Sequence, residues 1–492
     1  MIKEPRNQED HGSSHQEMNR RTFLKSSAML GGSLAASAYL TRYAQGAETE
    51  LSVQGPTVQT GSKNLIKEIF ANEVFPAVGC TEPISCAYAC AVAAEQLNAP
   101  VEKIVLTVDP GTFKNGAAVT VPNSQGQKGN VIAAAIGAMI ARSDPKLEIL
   151  KEVTPETLGK AKQFVDNGHL TYRCKVDEKN FHVEVHAYGK NSVVHCIVSD
   201  GHTNITRLEK DGKSVMEVHP DAGSEASGYR DRLRAMKLEE VLREVIRLDD
   251  ESRSYIQRGI AMNLAISEKG TDLKRKAYQL QQIMKQGLMA DDLFYRVKQR
   301  VASAVDALMG GLPEPVMTSG GSGNQGVLTI LLPYLVGRDR SIEMARIQES
   351  IAISHAVNSY IKCFTGELSV LCGCSLAASI ASATAVVYQN AGMDNKAITY
   401  AVGNIIGDLT GVVCDGAKPG CSMKIVTGAD SAMRSAFMAL AGYGISSDEG
   451  VIGRSAEESI RNLSKISLEG MGLVDPTVVH ILRGKCPRRG RA

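Results

Sequence analysis

The feature that most constrains this chain of 492 residues is a change in its hydrophobic pattern near Leu238. Before that point the apolar residues alternate or run in short blocks, which is typical of strands mixed with helices. After it they recur about every 3.6 residues over long stretches, which predicts amphipathic helices. The predicted helices cover residues 238–265, 272–289, 341–362, 375–390 and 395–408.

This pattern predicts an α+β fold, in which a mixed N-terminal portion carries a small sheet and the C-terminal portion is mostly helical. We place the N-terminal portion at residues 47–237 and the helical portion at 238–492. A helix over 62–98 is expected to break near Pro76 and to resume after Pro83. The predicted strands are Val101–Val108, Ala117–Val121, Thr171–Val176, Phe181–Tyr188 and Val193–Val198.

Composition excludes several classes of protein. The net charge of +2 gives no overall field that would attract nucleic acid or an anionic membrane. Tryptophan is absent and aromatic residues make up only 5% of the chain, which argues against a surface that stacks bases. We therefore expect a small-molecule ligand and no nucleic-acid partner, and we leave open whether the chain forms a homo-oligomer.

The chain contains 11 cysteines, an odd number. A disulfide scaffold is usually short and dense in cysteine, and this chain is neither. Ligation of a metal or cluster by some cysteines, and simple burial of others, is the better interpretation.

The first 46 residues resemble a twin-arginine export signal. Arg20-Arg21 precedes Thr-Phe-Leu-Lys, an apolar and small-residue stretch follows to Leu40, and Ala44-Gln-Gly46 offers a cleavage site. The apolar stretch is too short for a stable membrane span. This predicts a periplasmic protein exported after folding, with its cofactor inserted in the cytoplasm. A basic tail with a chance arginine pair, and hence a cytoplasmic protein, is the alternative.

Cys80 stands at a turn that leads into a helix, between Gly79 and Pro83. A cysteine at a helix N-terminus meets the positive end of the helix dipole, which lowers the pKa of its thiol. The sequence therefore predicts a thiolate that can act as a base or nucleophile. A small buried residue at a helix start is the alternative.

Three further cysteines form a second candidate group. Cys414 and Cys421 enclose a tight Gly/Pro loop that can turn both thiolates toward one point, and Cys372 lies 42 residues before Cys414. Three thiolates on one iron–sulfur cluster leave one iron open, and an open iron is a Lewis acid. No pair has the C-x-x-C spacing of common structural zinc sites. On spacing alone, Cys374 or Cys363 could replace Cys372.

Two glycine-containing turns could bind a substrate carboxylate. The loop 317–326 carries Ser322 and Asn324, and its free N–H groups would face an anion if a helix follows. Its G-x-G-x-x-G spacing lacks a preceding strand, so a dinucleotide site is disfavoured. Lys114 and Asn115, before Gly116, form the other turn. A flexible loop and an ordinary turn are the respective alternatives, and His202 is more often structural than catalytic.

These motifs, in this order, resemble the L-cysteine desulfidase family, which is related to the iron–sulfur L-serine dehydratases. The resemblance runs from about Leu65 to Leu482. Its motifs are GCTEP at 79–83, KNG at 114–116, GHTNI at 201–205, MTSGGSGNQG at 317–326, GELSVLC at 366–372 and CDGAKPGCSMK at 414–424. Two features depart from the family: members resembling this chain lack an export signal as a rule, and the basic tail after Gly484 is extra.

The resemblance implies a 4Fe–4S cluster held by Cys372, Cys414 and Cys421, with Cys80 as the base that removes the Cα proton. It implies β-elimination of L-cysteine to pyruvate, ammonia and hydrogen sulfide. L-serine ammonia-lyase activity, a pyridoxal-phosphate desulfhydrase, and a periplasmic binding protein that has lost the cluster are the alternatives. In related dehydratases a C-terminal cysteine caps the open iron, and Cys486 could do so here.

Overall fold

The computed structural model describes residues 64–216, 220–366 and 368–485, without the side chains of residues 220–227. All of these belong to one compact unit, Gly55–Ala492. The proposed export signal at 1–46 and Cys486 lie outside the described residues. Helix accounts for 60% of the structure and strand for 11%, which confirms the predicted α+β class. None of the described helices is long and apolar enough to span a membrane.

The part of the chain before residue 217 contains five α-helices and seven strands among the described residues. The helices are α1 Leu65–Glu73, α2 Thr81–Leu97, α3 Pro110–Asn115, α4 Asn130–Ile140 and α5 Pro155–Asp166. The strands are β1 Pro76–Ala77, β2 Lys103–Val108, β3 Leu170–Cys174, β4 His182–Gly189, β5 Ser192–Ser199, β6 Ile205–Lys210 and β7 Lys213–Ser214.

Strands β2–β7 form one sheet in the order β3-β2-β4-β5-β6-β7. The β2–β3 pair is parallel and the other pairs are antiparallel, so the sheet is mixed. Burial alternates along β4, since Val183 and Val185 are fully buried while Glu184 and His186 are half-buried. This alternation gives the sheet one apolar face, on which α2 packs.

The part after residue 219 is helical apart from the short strand β8, Val316–Met317. Its helices are α6 Pro220–Ala235, α7 Leu238–Val245, α8 Asp250–Lys269, α9 Lys276–Lys285, α10 Leu293–Met309, α11 Gly323–Asp339, α12 Met344–Thr365, α13 Ala377–Ala391, α14 Asn395–Leu409, α15 Cys421–Leu440, α16 Ala456–Lys465 and α17 Val474–Lys485. Helix α13 is rich in Ala and Ser and is buried on every side from Ala377 to Gln389, so it forms the centre of the bundle.

The structure has two hydrophobic cores, and each includes a helix from the opposite end of the chain. Helix α1 packs into the helical core, whereas Val479 of α17 packs into the core beside the sheet. The chain therefore crosses between the cores just before Cys80 and again near its C-terminus. The boundary between residues 237 and 238 stays a prediction.

A two-stranded pairing joins the first of these crossings to the loop before α11. Strand β1 pairs antiparallel with β8, and the Thr318 N–H donates to the Phe75 carbonyl at 2.9 Å. The Gly321 N–H donates to the Glu73 carbonyl at 2.9 Å. The start of α2 and the start of α11 are thereby held on the same side of the molecule.

Several predicted elements differ from the structure. The segment 117–121 is not a strand, because its only ladder contact among the described residues is an isolated bridge between Thr120 and Lys128. The turn after Asp109 is the helix α3, since the Asp109 side chain caps the Thr112 N–H at 2.9 Å. The predicted helix 238–265 is two helices, because Asp249 caps a new start at Ser252.

Candidate active site

One cavity of about 910 Å³, counted with its opening to solvent, lies where the starts of α2 and α11, the end of α3 and two cysteine-bearing loops meet. All the site residues predicted from the sequence line it, namely Cys80, Lys114, Asn115, Ser322, Asn324, Cys372, Cys414 and Cys421. The structure thus brings together residues that are up to 341 positions apart in the sequence, from 80 to 421.

Cys80 is the N-cap residue of α2, as the sequence predicts. Gly79 precedes it with a φ of +98°, and a Cβ on Gly79 would lie 2.7 Å from Pro122 Cγ, so the turn requires glycine. This turn sets the thiol at the wall of the cavity, where the Cys80 Sγ–H donates to Glu82 Oε2 at 2.8 Å.

The predicted lowering of the Cys80 pKa is wrong. Burial raises the pKa of this thiol well above its usual value, and the Glu82 carboxylate raises it further. The helix dipole favours the thiolate only modestly and cannot offset both effects. Cys80 therefore rests as a thiol whose proton points at a carboxylate.

Glu82 is the residue that sequence reasoning missed. Its side chain is 6% exposed, and its second oxygen accepts a hydrogen bond from Asn115 Nδ2 at 2.8 Å. Asn115 Oδ1 lies 3.9 Å from Cys414 Sγ, so Asn115 links the carboxylate beside Cys80 to one of the proposed cluster ligands. An acidic residue two positions after a candidate base, inside GCTEP, was the signal in the sequence.

The Lys114 ammonium already pairs with a carboxylate of the protein, which the sequence analysis did not predict. Its Nζ lies 2.6 Å from Asp475 Oδ1 on α17 and 3.4 Å from the Ser369 carbonyl, and the side chain is 1% exposed. A buried ammonium that is already neutralised by a carboxylate is a poor partner for a second carboxylate. The expected contact between Lys114 and a substrate carboxylate is therefore corrected to a structural ion pair.

Backbone pairing holds the proposed ligand cysteines together. The Cys372 N–H donates to the Val412 carbonyl and the Cys414 N–H donates to the Val370 carbonyl, both at 2.8 Å. These two bonds place Cys372 and Cys414 on neighbouring extended segments. Cys421 is the first residue of α15, and its Sγ lies 3.7 Å from the Gly416 carbonyl inside the same loop.

The donor set of this corner fits an iron–sulfur cluster. Cys374 also lines the cavity, whereas Cys363 packs in the helical core and is not among the lining residues. A hydrogen bond from Cys374 lowers the pKa of Cys372, and the nearby Lys424 lowers it further. Burial raises the pKa of Cys414 and of Cys421, the latter to about 11. This opposes ionisation, so a bound metal would have to displace the protons of both thiols. Thiolate sulfur is the ligand that such clusters use.

Comparison with known proteins assigns the family. Residues 144–480, more than half of the chain, match the serine dehydratase alpha chain. This chain belongs to the serine dehydratase alpha chain family. The matched span includes Cys372, Cys414 and Cys421 but begins after Cys80, Lys114 and Asn115.

Members of the family named UPF0597 cover almost the whole length of this serine dehydratase-like chain. It is 45% identical to the UPF0597 protein of Geobacter sulfurreducens, over 86% of this chain and 99% of that protein. It is 42% identical to the UPF0597 protein of Elusimicrobium minutum and 34% identical to that of Clostridium tetani, with the same coverage. No solved structure matches the chain.

Three of the other described cysteines lie away from the cavity. Cys86 and Cys90, which are spaced i, i+4 on α2, are fully buried in the core beside the sheet, and so is Cys196. Burial raises the pKa of Cys90 and of Cys196, the latter to about 12, so these thiols are inert packing residues.

A group of His and Glu side chains stands on the opposite face of the sheet. One ligand atom from each of Glu184, His186 and His195 lies within 4.8 Å of the others. The two imidazole rings stack with centroids 4.1 Å apart and planes 12° apart. Their in-plane lone pairs therefore run side by side rather than converging, and we assign no ion to this group.

Gly416 provides a test of the cysteine loop. Its φ is +98°, and a Cβ there would lie 2.1 Å from the Lys114 carbonyl, so Gly416→Ala must push the loop away from α3. We expect iron per chain to fall to about half or less, because the spacing of Cys414 and Cys421 would change. Gly442→Ala is the matched control, since Gly442 has a φ of +85° with no atom within 4 Å of its Cβ position. Equal iron in both variants would contradict the expected role of the loop.

Proposed function

We propose that this protein is an iron–sulfur lyase that eliminates the β-substituent of L-cysteine, releasing hydrogen sulfide, pyruvate and ammonia. One observation carries the proposal. The hydrogen-bonded Cys80–Glu82 pair and the group of Cys372, Cys414 and Cys421 line a single cavity in a member of the serine dehydratase alpha chain family. A β-elimination needs a base at Cα and an electrophile at the leaving group, and the two groups can supply these.

The cluster corner supplies the electrophile. A 4Fe–4S cluster held by Cys372, Cys414 and Cys421 would provide, when bound, a Lewis-acidic iron for the β-substituent. Asn115 stands between this corner and Glu82, and it holds both in one hydrogen-bonded row.

The chain's own residues handle the proton. The Cys80 thiol passes its proton to Glu82 Oε2, 2.8 Å away, and the sulfur then takes the proton from Cα. Asn115 Nδ2 keeps the carboxylate in place by donating to its other oxygen. The enamine left after loss of the β-substituent hydrolyses to pyruvate and ammonia in water.

Anaerobically purified protein tests this function. We expect sulfide, pyruvate and ammonia in equal amounts from L-cysteine, with a broad absorption band in the visible region that is typical of iron–sulfur clusters. A sharper Schiff-base band would indicate a pyridoxal-phosphate desulfhydrase instead. Protein without a visible band and without turnover would support the binding protein that has lost its cluster.

L-serine is the second candidate substrate, and the name of the matching family favours it. We expect L-cysteine to be preferred by about tenfold in kcat/KM, because thiolate is the better leaving group and soft sulfur suits iron. Steady-state kinetics with both amino acids under anaerobic conditions measure the ratio. A serine value equal to or above the cysteine value would make this an L-serine ammonia-lyase.

We also propose that the protein works in the periplasm, on the support of the Arg20-Arg21 signal pattern. Fractionation of cells that express the full chain tests this. Recovery of the uncleaved chain in the cytoplasm alone would contradict export.

A further inference from the structure

Three lysines line the cavity, and they differ in what neutralises them. Lys114 pairs with Asp475, and Lys424 pairs with Asp415. Lys362 on α12 is 8% exposed, its Nζ donates to the Gly320 carbonyl, and it makes no ion pair with the described residues. Lys362 therefore brings a positive charge to the cavity wall that no carboxylate contact balances.

Glu73 is the carboxylate that interacts electrostatically with Lys362, and it already has other partners. Glu73 is buried, and its Oε1 lies 2.9 Å from an Arg230 guanidinium nitrogen while Ser359 donates to its Oε2 at 2.6 Å. Although burial opposes ionisation, Arg230 and Lys362 lower the pKa of Glu73. The carboxylate is thus satisfied by groups other than the Lys362 ammonium, which stays beside the loop that precedes α11.

The start of α11 adds a second attraction for an anion. This helix has 17 residues, and its N-cap residue Ser322 makes no side-chain capping bond. The first N–H groups of a helix have no acceptor within the helix, and they carry the positive end of its dipole. Ser322, Gly323 and Asn324 line the same cavity as Lys362. A carboxylate is the group that suits this combination.

Two buried amide side chains at the start of α11 have carbonyl oxygens that accept no hydrogen bond from the described residues. Asn324 is 7% exposed and Gln325 is 8% exposed, both line the cavity, and the carbonyl oxygen of each lacks a donor among the described residues. The Gln325 amide lies against the loop of Cys372, since a Cβ on Gly373 would come 2.6 Å from its Nε2. Buried amide oxygens without donors are uncommon, and a ligand with several N–H groups satisfies them.

We propose that this corner binds the zwitterion of a free α-amino acid. Lys362 and the start of α11 bind its carboxylate, and Asn324 and Gln325 accept hydrogen bonds from its ammonium. The inference rests on the proposed function and assigns the residues that select its substrate. It excludes N-acylated amino acids and simple carboxylic acids, which lack the charged ammonium. It also excludes peptides, whose ammonium and carboxylate are not on the same carbon. By binding the ammonium, Gln325 would also place the Cα atom of the amino acid near the loop that carries Cys372.

The first test needs no variant. Calorimetry on the iron-loaded, full-length protein under anaerobic conditions would compare L-alanine, propionate and ethylamine. L-alanine carries both charged groups but no leaving group, so it binds without elimination. We expect L-alanine to bind about tenfold or more tightly than either single-charge compound. Propionate or ethylamine binding as tightly as L-alanine would overturn the proposal.

Two variants then test which residues bind the carboxylate and which bind the ammonium of the amino acid. Lys362→Met and Gln325→Met should each weaken L-alanine binding about tenfold or more while leaving iron per chain unchanged. Lys298→Met is the control, because Lys298 pairs with Asp430 outside the cavity. Wild-type affinity in a folded Lys362→Met protein would overturn the carboxylate assignment. If circular dichroism shows that this variant is unfolded, the three-ligand comparison on the wild type still decides.

The two proposals fail in different ways. Loss of L-alanine binding in Lys362→Met, together with no elimination of any amino acid by the wild type, would sustain the zwitterion site and reject the lyase. Elimination with an unchanged KM in Lys362→Met and Gln325→Met would sustain the lyase and reject the site.

Discussion

Cys414→Ser is expected to lose most of its iron and to lower turnover by at least about a hundredfold. The Cys414 N–H bond to the Val370 carbonyl fixes this residue beside Cys372, so no neighbouring thiol can replace it without breaking that pairing. A serine hydroxyl keeps its proton near neutral pH, whereas thiolate is the form that holds iron. Cys372→Ser and Cys421→Ser should behave in the same way.

Iron per chain, the visible spectrum and pyruvate release measure this prediction. Cys174→Ser is the matched control, because Cys174 is half-buried like Cys414 but lies on β3 outside the cavity. The control should keep both iron and turnover. Full iron and full turnover in Cys414→Ser would show that the ligand assignment is wrong. Cys374→Ser tests whether this fourth cavity-lining thiol takes any part.

Cys80→Ser is expected to keep its iron and to stop exchange of the Cα proton, with at least about a hundredfold loss of turnover. The thiol is held by Glu82 and stands at the start of α2, away from the paired segments of Cys372 and Cys414. Serine cannot serve as this base as readily, because its hydroxyl has a far higher pKa than a thiol and almost never loses its proton. Proton exchange of L-cysteine in D₂O, followed by nuclear magnetic resonance, measures the effect.

The structure also predicts how the rate of Cα proton exchange changes with pH. Because burial and Glu82 raise the pKa of Cys80, the thiolate form grows only at alkaline pH, and the exchange rate should rise through that range. Glu82→Gln removes both the acceptor of the Cys80 proton and the charge that raises the Cys80 pKa, so the exchange rate should fall and its inflection should move to lower pH. An unchanged inflection would show that Glu82 does not control the base. Loss of iron in Cys80→Ser would instead make Cys80 a cluster ligand.

Some elements were readable from the sequence because their pattern is local. The predicted helices 375–390 and 395–408 correspond to Ala377–Ala391 and Asn395–Leu409. The break at Asp249 was missed, although an Asp that caps a following N–H is a known start signal. Helix α4 was missed because it consists almost entirely of Ala, Ile and Gly and is buried on nearly every side, so it shows no polar face.

The group of site residues could be named from the sequence because the chemistry of a thiol, an amide or an ammonium belongs to the residue itself. Cys80, Cys372, Cys414 and Cys421 were chosen on residue type and motif order, and the structure places them on one cavity. Glu82, Gln325 and Lys362 were missed, although Glu82 lies inside GCTEP and Gln325 lies inside MTSGGSGNQG. Their importance depends on which distant segments they face.

By itself the sequence determined the fold class, the start of α2 at Cys80 and the supply of thiols, since these depend on residue type and local spacing. Only the tertiary structure decided the charge state and the partners of those groups. Lys114 meets Asp475 across 361 positions, and Asn115 meets Cys414 across 299. A pKa depends on burial and on charges within a few ångströms, and those neighbours come from elements that the chain brings together only on folding.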